Sequence, residues 1–354
     1  MKEVDGTKTL NPEIKDAAIS YVKKLFSKSD NTELTRALKK ESFKRIYMKM
    51  VLDPDEFQPK PRPADIEPWH GKKPSGPRDF LKSKVILPSL PQVLLQIQQV
   101  LNNPDSSADD LADVISKDPK LVAAILRLAN SALFSFRTEV DTPSRAVALL
   151  GFKQAGSLAM GTVSLSLFKR SKSSSILQVE KFWKHSIACG VIAQELAKIA
   201  NLGDSERYFV GGMLHDIGLY VIFESNKGLA LELMELAKEH DESLYGAEHE
   251  LLGFNHAILG GVIIKDWNFP HSLVVAAAGH HNPEKAKNDP DAGVVHIADF
   301  ICRAIGYDLG ISHILGHIEP AAWDIIGISG DEFIEKMPEI QSIIDNIFEI
   351  LNPQ

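Results

Sequence analysis

The stretch Gly211-Gly212-Met213-Leu214-His215-Asp216-Ile217-Gly218-Leu219-Tyr220 sets two polar side chains inside a run that is otherwise apolar or small. It follows a helix-like run, Ser205-Glu206-Arg207-Tyr208-Phe209-Val210. Continued as helix, the stretch points His215 and Asp216 about 100° apart, and both side chains can reach one point beside the helix. An imidazole and a carboxylate converging there suit a borderline divalent metal such as Zn, Mn, Fe or Ni. A buried His hydrogen-bonded to its neighbour would have the same local signature, because buried polar groups find partners. The rest of the chain has to decide between the two.

The neighbouring segments carry further metal-competent side chains on apolar helices. Residues 179–199 are amphipathic, with His185 on the side of Phe182, Ala188 and Cys189. Helical spacing continues over 227–239 and 247–254. Asn255 can cap a helix over 256–264 that begins with His256, and residues 271–279 form another, with His280-His281 at its C-terminal end. Residues 283–292 read as a loop. The helix over 294–302 is almost entirely apolar, so His296 and Asp299, three apart on one face, stand out.

The resulting candidate set is His185, His215, Asp216, His256, His280, His281 and Asp299. Each alone reads equally as a satisfied core residue. Together they would leave several imidazoles and two carboxylates desolvated unless a cation offsets them. One or two divalent transition metals (Fe, Mn, Zn or Ni) are therefore expected, with Asp216 bridging two ions about 3.5–4 Å apart. Such a pair can acidify a shared water and clamp the oxygens of a phosphate.

Composition bounds the class. The chain has 354 residues, 44% hydrophobic and 24% charged, with a formal net charge of -8, which argues against general nucleic-acid binding. Charge is uneven: residues 1–80 carry 17 Lys and Arg against 13 Asp and Glu, pointing to a separate N-terminal module. Cys189 and Cys302 alone make no disulfide framework. The N-terminus shows no signal-peptide core, and no apolar run is long enough to span a bilayer, so a cytoplasmic protein with no membrane span is expected.

Residues 1–52 read as a helical N-terminal module: Asn11-Pro12-Glu13 opens one helix, and Leu34, Leu38, Phe43, Ile46, Tyr47 and Val51 mark a second facing it. Residues 53–78, with seven prolines, read as an extended, semi-stiff linker. Residues 79–175 form a first helical lobe, punctuated by Asn103-Pro104, Ser107, Asp118-Pro119, Thr142-Pro143 and Gly151. Lys169 to Ser175 is a polar turn between lobes. Residues 176–306 make the second lobe, and 307–354 read as packing helices. No alternating strand or repeat period is present, so the fold class is all-α.

The order His185 … His215-Asp216 … Asp299 resembles the pattern of the HD superfamily of metal-dependent phosphohydrolases. His256, in Asn-His-Ala-Ile-Leu-Gly-Gly, and the His280-His281 pair look like the extra ligands of its two-metal HD-GYP branch. Residues 84–305 as a whole look most like an HDOD domain. The matching segments are Leu87-Pro88-Ser89-Leu90-Pro91, Asp118-Pro119, Leu126 to Ala132, Ala146 to Gly151, Trp183-Lys184-His185-Ser186, Gly212 to Gly218, His256-Ala257, Trp267 with Pro270, and His280-His281.

The HDOD resemblance implies a two-lobed helical HDOD architecture with an HD-like C-terminal lobe. It also implies a regulatory role in bacterial signal transduction, with a signalling protein partner or a nucleotide as ligand. Recognition would then fall on the Asn130-Ser131 turn and Arg127, which equally read as a helix C-terminus. The alternative is a metal-dependent phosphohydrolase or phosphodiesterase acting on a nucleotide or cyclic dinucleotide. Two departures bear on it. Asn282-Pro283-Glu284 follows His281 where the HD-GYP branch has Gly-Tyr-Pro, which speaks against cyclic-dinucleotide hydrolysis. Lys181 stands where a Glu can support a third metal, so at most two ions are expected. The basic residues nearest the cluster in sequence are Lys184 and Lys265.

Overall fold

The computed structural model describes residues 11–57, 66–82, 91–167, 176–240, 243–286, 289–311 and 314–351. Several helices begin where the chain supplies a side-chain acceptor for the first free amides. Asn11 accepts from the amides of Glu13 and Ile14 to start α1 (Pro12–Leu25), and Thr32 caps α2 (Glu33–Leu52). A short α3 (Pro77–Lys82) precedes the first lobe. That lobe is α4 (Gln92–Asn102), α5 (Ala108–Ser116), α6 (Pro119–Ala129), α7 (Pro143–Leu150) and α8 (Phe152–Leu167). Ser107 and Asp110 form a reciprocal cap on α5, Asp118 caps α6, Thr142 caps α7, and Gly151 at φ 89° ends α7. Residues 87–90 of the family-matching segment and the polar turn from Lys169 to Ser175 lie outside the described residues.

The second lobe is α9 (Val179–Ile199), α10 (Ser205–Leu214), α11 (Ile217–Ser225), α12 (Lys227–Glu239), α13 (Leu244–Leu252), α14 (His256–Asp266), α15 (His271–Gly279) and α16 (Pro290–Ala304). It is followed by α17 (Pro320–Asp324) and α18 (Gly330–Leu351). No strand occurs among the described residues, and no single helix there is long and apolar enough to cross a membrane. The fold is all-α.

Four local expectations change. The helix through His215-Asp216 is not continuous: α10 stops at Leu214 and α11 starts at Ile217, so the two residues form the corner. The helix expected over 247–254 begins earlier, at Leu244, and α16 begins inside the expected loop, at Pro290, capped by Asp289. Helix α9 is not amphipathic in place. It packs on α10, α16 and α18, which buries most of its length.

Residues 11–52 do not stand apart from the lobes. Leu34, Leu38 and Ile46 of α2 are buried, α2 lies against α18 and α16, and Gly330 at the start of α18 meets the backbone of Leu34. The Leu315 amide donates to Leu25 O (2.7 Å), the Ser42 hydroxyl to Ala304 O, and Arg45 to Gln341 Oε1 (2.6 Å). Of the Pro-rich stretch, residues 66–76 carry no regular structure and are strapped to the second lobe. Lys73 Nζ donates to Glu250 O (2.9 Å), and Gly228 of α12 abuts the backbone from Glu67 to Trp69.

Candidate metal centre

Close helix approach is what brings the polar side chains together. A Cβ at Gly212 would lie 2.7 Å from Cys189 O, and one at Gly190 would lie 2.6 Å from Phe209 O, so α9 and α10 touch backbone to backbone. That contact sets His185 beside His215, with Nε2 to Nε2 at 3.4 Å. A Cβ at Gly218 would lie 2.1 Å from His256 O, so α11 and α14 are equally close. That second contact sets Asp216 beside His256.

The corner at 215–216 turns both side chains into the gap between these helices. Asp216 Oδ2 lies 3.3 Å from His215 Nε2 and 3.5 Å from His185 Nε2. Asp216 Oδ1 lies 3.3 Å from His256 Nε2 and 3.6 Å from His280 Nε2. Asp299, from α16, reaches His185 Nε2 at 3.3 Å and His215 Nε2 at 3.8 Å. His281 Nε2 is 2.8 Å from His256 Nε2. All seven residues singled out from the sequence therefore meet around one point. Six are buried and His281 is half-buried.

The outer nitrogen of four rings is fixed. His185 Nδ1 donates to Tyr307 O (2.6 Å), His215 Nδ1 to Gly212 O (2.6 Å) and His280 Nδ1 to Ala277 O (2.7 Å). His256 Nδ1 donates to Glu248 Oε2 (2.6 Å). Each bond leaves Nε2 facing inward, the arrangement that orients metal-bound imidazoles. Buried His280 Nε2 has no hydrogen-bond partner. Two groups of atoms could each hold an ion: His185, His215 and Asp216, and His256, His280 and His281. The donor set, nitrogen with carboxylate oxygen, fits the borderline transition metals.

Charge in the cluster is polarised. Burial alone would lower His185 and His215, but the Asp216 and Asp299 carboxylates outweigh it for His185, and Asp216 chiefly for His215. Both rings are held well above the ordinary imidazole range. Burial is likewise outweighed at His256, which Glu248 and Asp216 push up to about 10. Burial and the neighbouring His215 push His280 down to about 3, and burial with its neighbouring imidazoles pulls His281 well below its usual range. Burial would raise Asp216 and Asp299, yet the facing imidazoles, and for Asp299 also Arg303, hold both carboxyls below theirs. The raised imidazoles and the lowered carboxyls favour one another's charged forms, a balance that a cation would also serve.

A cavity of about 50 Å³ opens in front of the cluster, walled by Leu219, Leu244, Tyr245, Leu309 and Ile311. Arg303 also lines it, 4.0 Å from Asp299 Oδ2 and tied to Ile314 O (2.7 Å). Arg303 was not singled out from the sequence, although its place four residues after Asp299 on one helix was the available signal. Lys184 instead lies over the Tyr307 and Phe348 rings, and Lys181 is engaged with Glu56. His296, flagged with Asp299, faces elsewhere: its Nδ1 donates to His280 O (2.7 Å) and its Nε2 accepts from the Glu319 amide (3.1 Å).

On the first lobe, the Asn130 amide is spent on main chain. It bonds Leu126 O (2.9 Å) and both backbone groups of Val140 (2.8 and 2.7 Å), which is the helix-terminus reading. Arg127 and Asn130 do line an open groove of about 370 Å³ against Asn346 and Ile350 of α18.

Comparison with known proteins bears on the fold and the family. A solved HDOD domain protein of unknown function from Geobacter sulfurreducens is 25% identical, with a TM-score of 0.61, covering 77% of this chain and 96% of that one. A Shewanella amazonensis SB2B protein, provisionally named a phosphohydrolase, is 26% identical with a TM-score of 0.59, covering 77% and 97%. An uncharacterized Treponema pallidum protein is 28% identical over 209 residues, 57% of this chain; the match spans only 39% of that relative's length. The HDOD domain family matches residues 87–283, more than half of the chain. That span runs through both lobes and takes in six of the seven converging residues, with Asp299 just past its end, and the chain accordingly belongs to the HDOD family.

Proposed function

We propose that this chain is a regulatory HDOD module of bacterial signal transduction that holds one or two divalent transition metals and meets its partner outside the metal centre. The observation that carries this reading is the size of the cavity at the ring cluster, about 50 Å³ behind leucine and isoleucine walls. Ligand pockets for nucleotide-sized molecules span roughly 300–1,000 Å³. The centre has room for ions and a few waters, not for a nucleotide.

In this reading His185, His215 and Asp299 would hold one position, His256, His280 and His281 would hold the other, and Asp216, which faces both groups, would contribute to each. Ions bound there supply Lewis acidity and an acidified water. The chain's own contribution is orientation and exclusion. Carbonyl and carboxylate acceptors lock the rings, and apolar side chains keep bulk water out. A protein partner would dock on the first lobe, where Arg127 borders the groove against α18.

A phosphohydrolase is the second reading. It is favoured by the complete set of seven converging side chains and by Arg303, placed on the cavity wall where an oxyanion would sit. The deciding experiment is metal analysis of the purified chain followed by turnover assays. Mn- or Fe-loaded protein is offered bis(p-nitrophenyl) phosphate and cyclic dinucleotides. One or two equivalents of metal without turnover supports the regulatory module; turnover lost in Asp216→Ala moves the chain to the hydrolase.

A further inference from the structure

Glu248 separates the two halves of the centre. Three inward-facing imidazoles, His185, His215 and His280, rest their Nδ1–H on neutral main-chain carbonyls. His256 rests on a carboxylate. Glu248, from α13, is 0% exposed, and its Oε2 accepts both the His256 ring (2.6 Å) and the His256 backbone amide (2.7 Å). Its other oxygen is buried and has no hydrogen-bond partner. Among the described residues no Lys or Arg lies within ion-pair distance of Glu248.

A buried carboxylate with a bare oxygen costs several kcal/mol unless positive charge nearby offsets it. The neighbouring charge is reached only through the His256 ring, whose inner nitrogen already sits 2.8 Å from His281 Nε2. That separation suits two adjacent donors of one ion as well as it suits a shared proton. A carboxylate behind a ligating imidazole also makes the ring a stronger electron donor than a carbonyl does.

We propose that Glu248 is a positioning residue that makes the His256–His280–His281 position the tighter of the two metal positions. This rests on the reading that the centre binds metal, but it concerns a residue outside both ligand groups. It predicts an ordered filling: the first equivalent of metal goes to the half that includes the Glu248-backed ring, the second to the half whose rings rest only on carbonyls.

The test is calorimetric titration of metal-stripped full-length protein with Mn²⁺, alongside Glu248→Gln, Glu248→Ala and His185→Ala. Gln keeps an acceptor for both His256 N–H groups and removes the charge. Glu248→Gln is expected to weaken the tighter class of site about 10–100-fold and to leave the weaker class within about threefold. His185→Ala should abolish the weaker class and spare the tighter. Glu248→Ala, with no acceptor left, should lose the tighter class altogether; circular dichroism identifies a variant that has unfolded, in which case the Gln variant decides.

Equal weakening of both classes, or an unchanged tight class in Glu248→Gln, overturns the proposal while leaving metal binding intact. Wild-type protein that binds no Mn²⁺ overturns the metal reading and this inference with it. Wild-type protein with one site supports the inference only if that site is weakened about 10–100-fold in Glu248→Gln and kept in His185→Ala.

Discussion

Gly218 stands so close to His256 that a Cβ at 218 would lie 2.1 Å from the His256 carbonyl oxygen and 2.6 Å from the Gly260 amide nitrogen. Both obstacles are backbone, so no side chain can swing away. Gly218→Ala is expected to push α11 off α14, costing about 1–3 kcal/mol or more, and to part Asp216 from His256. Urea unfolding and metal content should fall together. Gly316→Ala, where nothing lies within 4 Å, should stay within about 0.5 kcal/mol of wild type.

The pH behaviour follows from the raised imidazoles. In the metal-free chain His256 is raised from 6.5 to about 10. A group raised on folding contributes stability that is whole below its unfolded pKa and is lost as pH climbs through the folded one. Metal-free protein should therefore lose stability between about pH 6.5 and 10. Metal must displace the protons on His185, His215 and His256, so metal affinity rises over the same window. Thermal melts with and without EDTA at pH 6 and pH 9 should show the Tm gap widening with pH. Calorimetry in buffers of different ionisation enthalpy should report proton release.

His296 and Asp299 are three residues apart on α16 but do different work. Asp299→Ala should lower metal binding because the carboxylate faces His185 and His215. His296→Ala removes two hydrogen bonds that tie the His280 carbonyl to the Glu319 amide. It should cost about 1–3 kcal/mol with metal stoichiometry unchanged, measured by unfolding and elemental analysis.

The N-terminal helices should not behave as a detachable unit. Leu38 is 0% exposed in a core continuous with the second lobe. Leu38→Ala should cost about 2–5 kcal/mol and shift a single cooperative transition. Two separate transitions, with only one displaced, would show that residues 1–52 fold on their own.

Much of the architecture and all seven converging residues were legible in the sequence, for identifiable reasons. Caps at Asn11, Ser107 and Asn255 act through atoms two or three residues away, so local reading suffices. The His and Asp side chains stood out because their surroundings are apolar. Glu248 did not, because it sits in Ala247-Glu248-His249-Glu250, where the next two residues are exposed and the run reads as a solvated surface. Its burial depends on α14 folding back over it. The corner at 215–216 also escaped notice, since Leu214 and Ile217 continue the apolar pattern across the break. The docking of α2 on α18 joins residues some 300 positions apart, and no local period encodes such a contact.

Tyr307 O fixes a ring 122 residues upstream, on α9. On a ribosome His185 emerges long before the carbonyl that sets its tautomer. The apolar stripe of α2 waits longer still, until α18 has left the exit tunnel. A nascent chain therefore carries the leucines of α2 uncovered until α18 follows. The centre closes only after α16 and Tyr307 have followed α9, and α2 is sheltered later still, which exposes the growing polypeptide to association that holding chaperones limit.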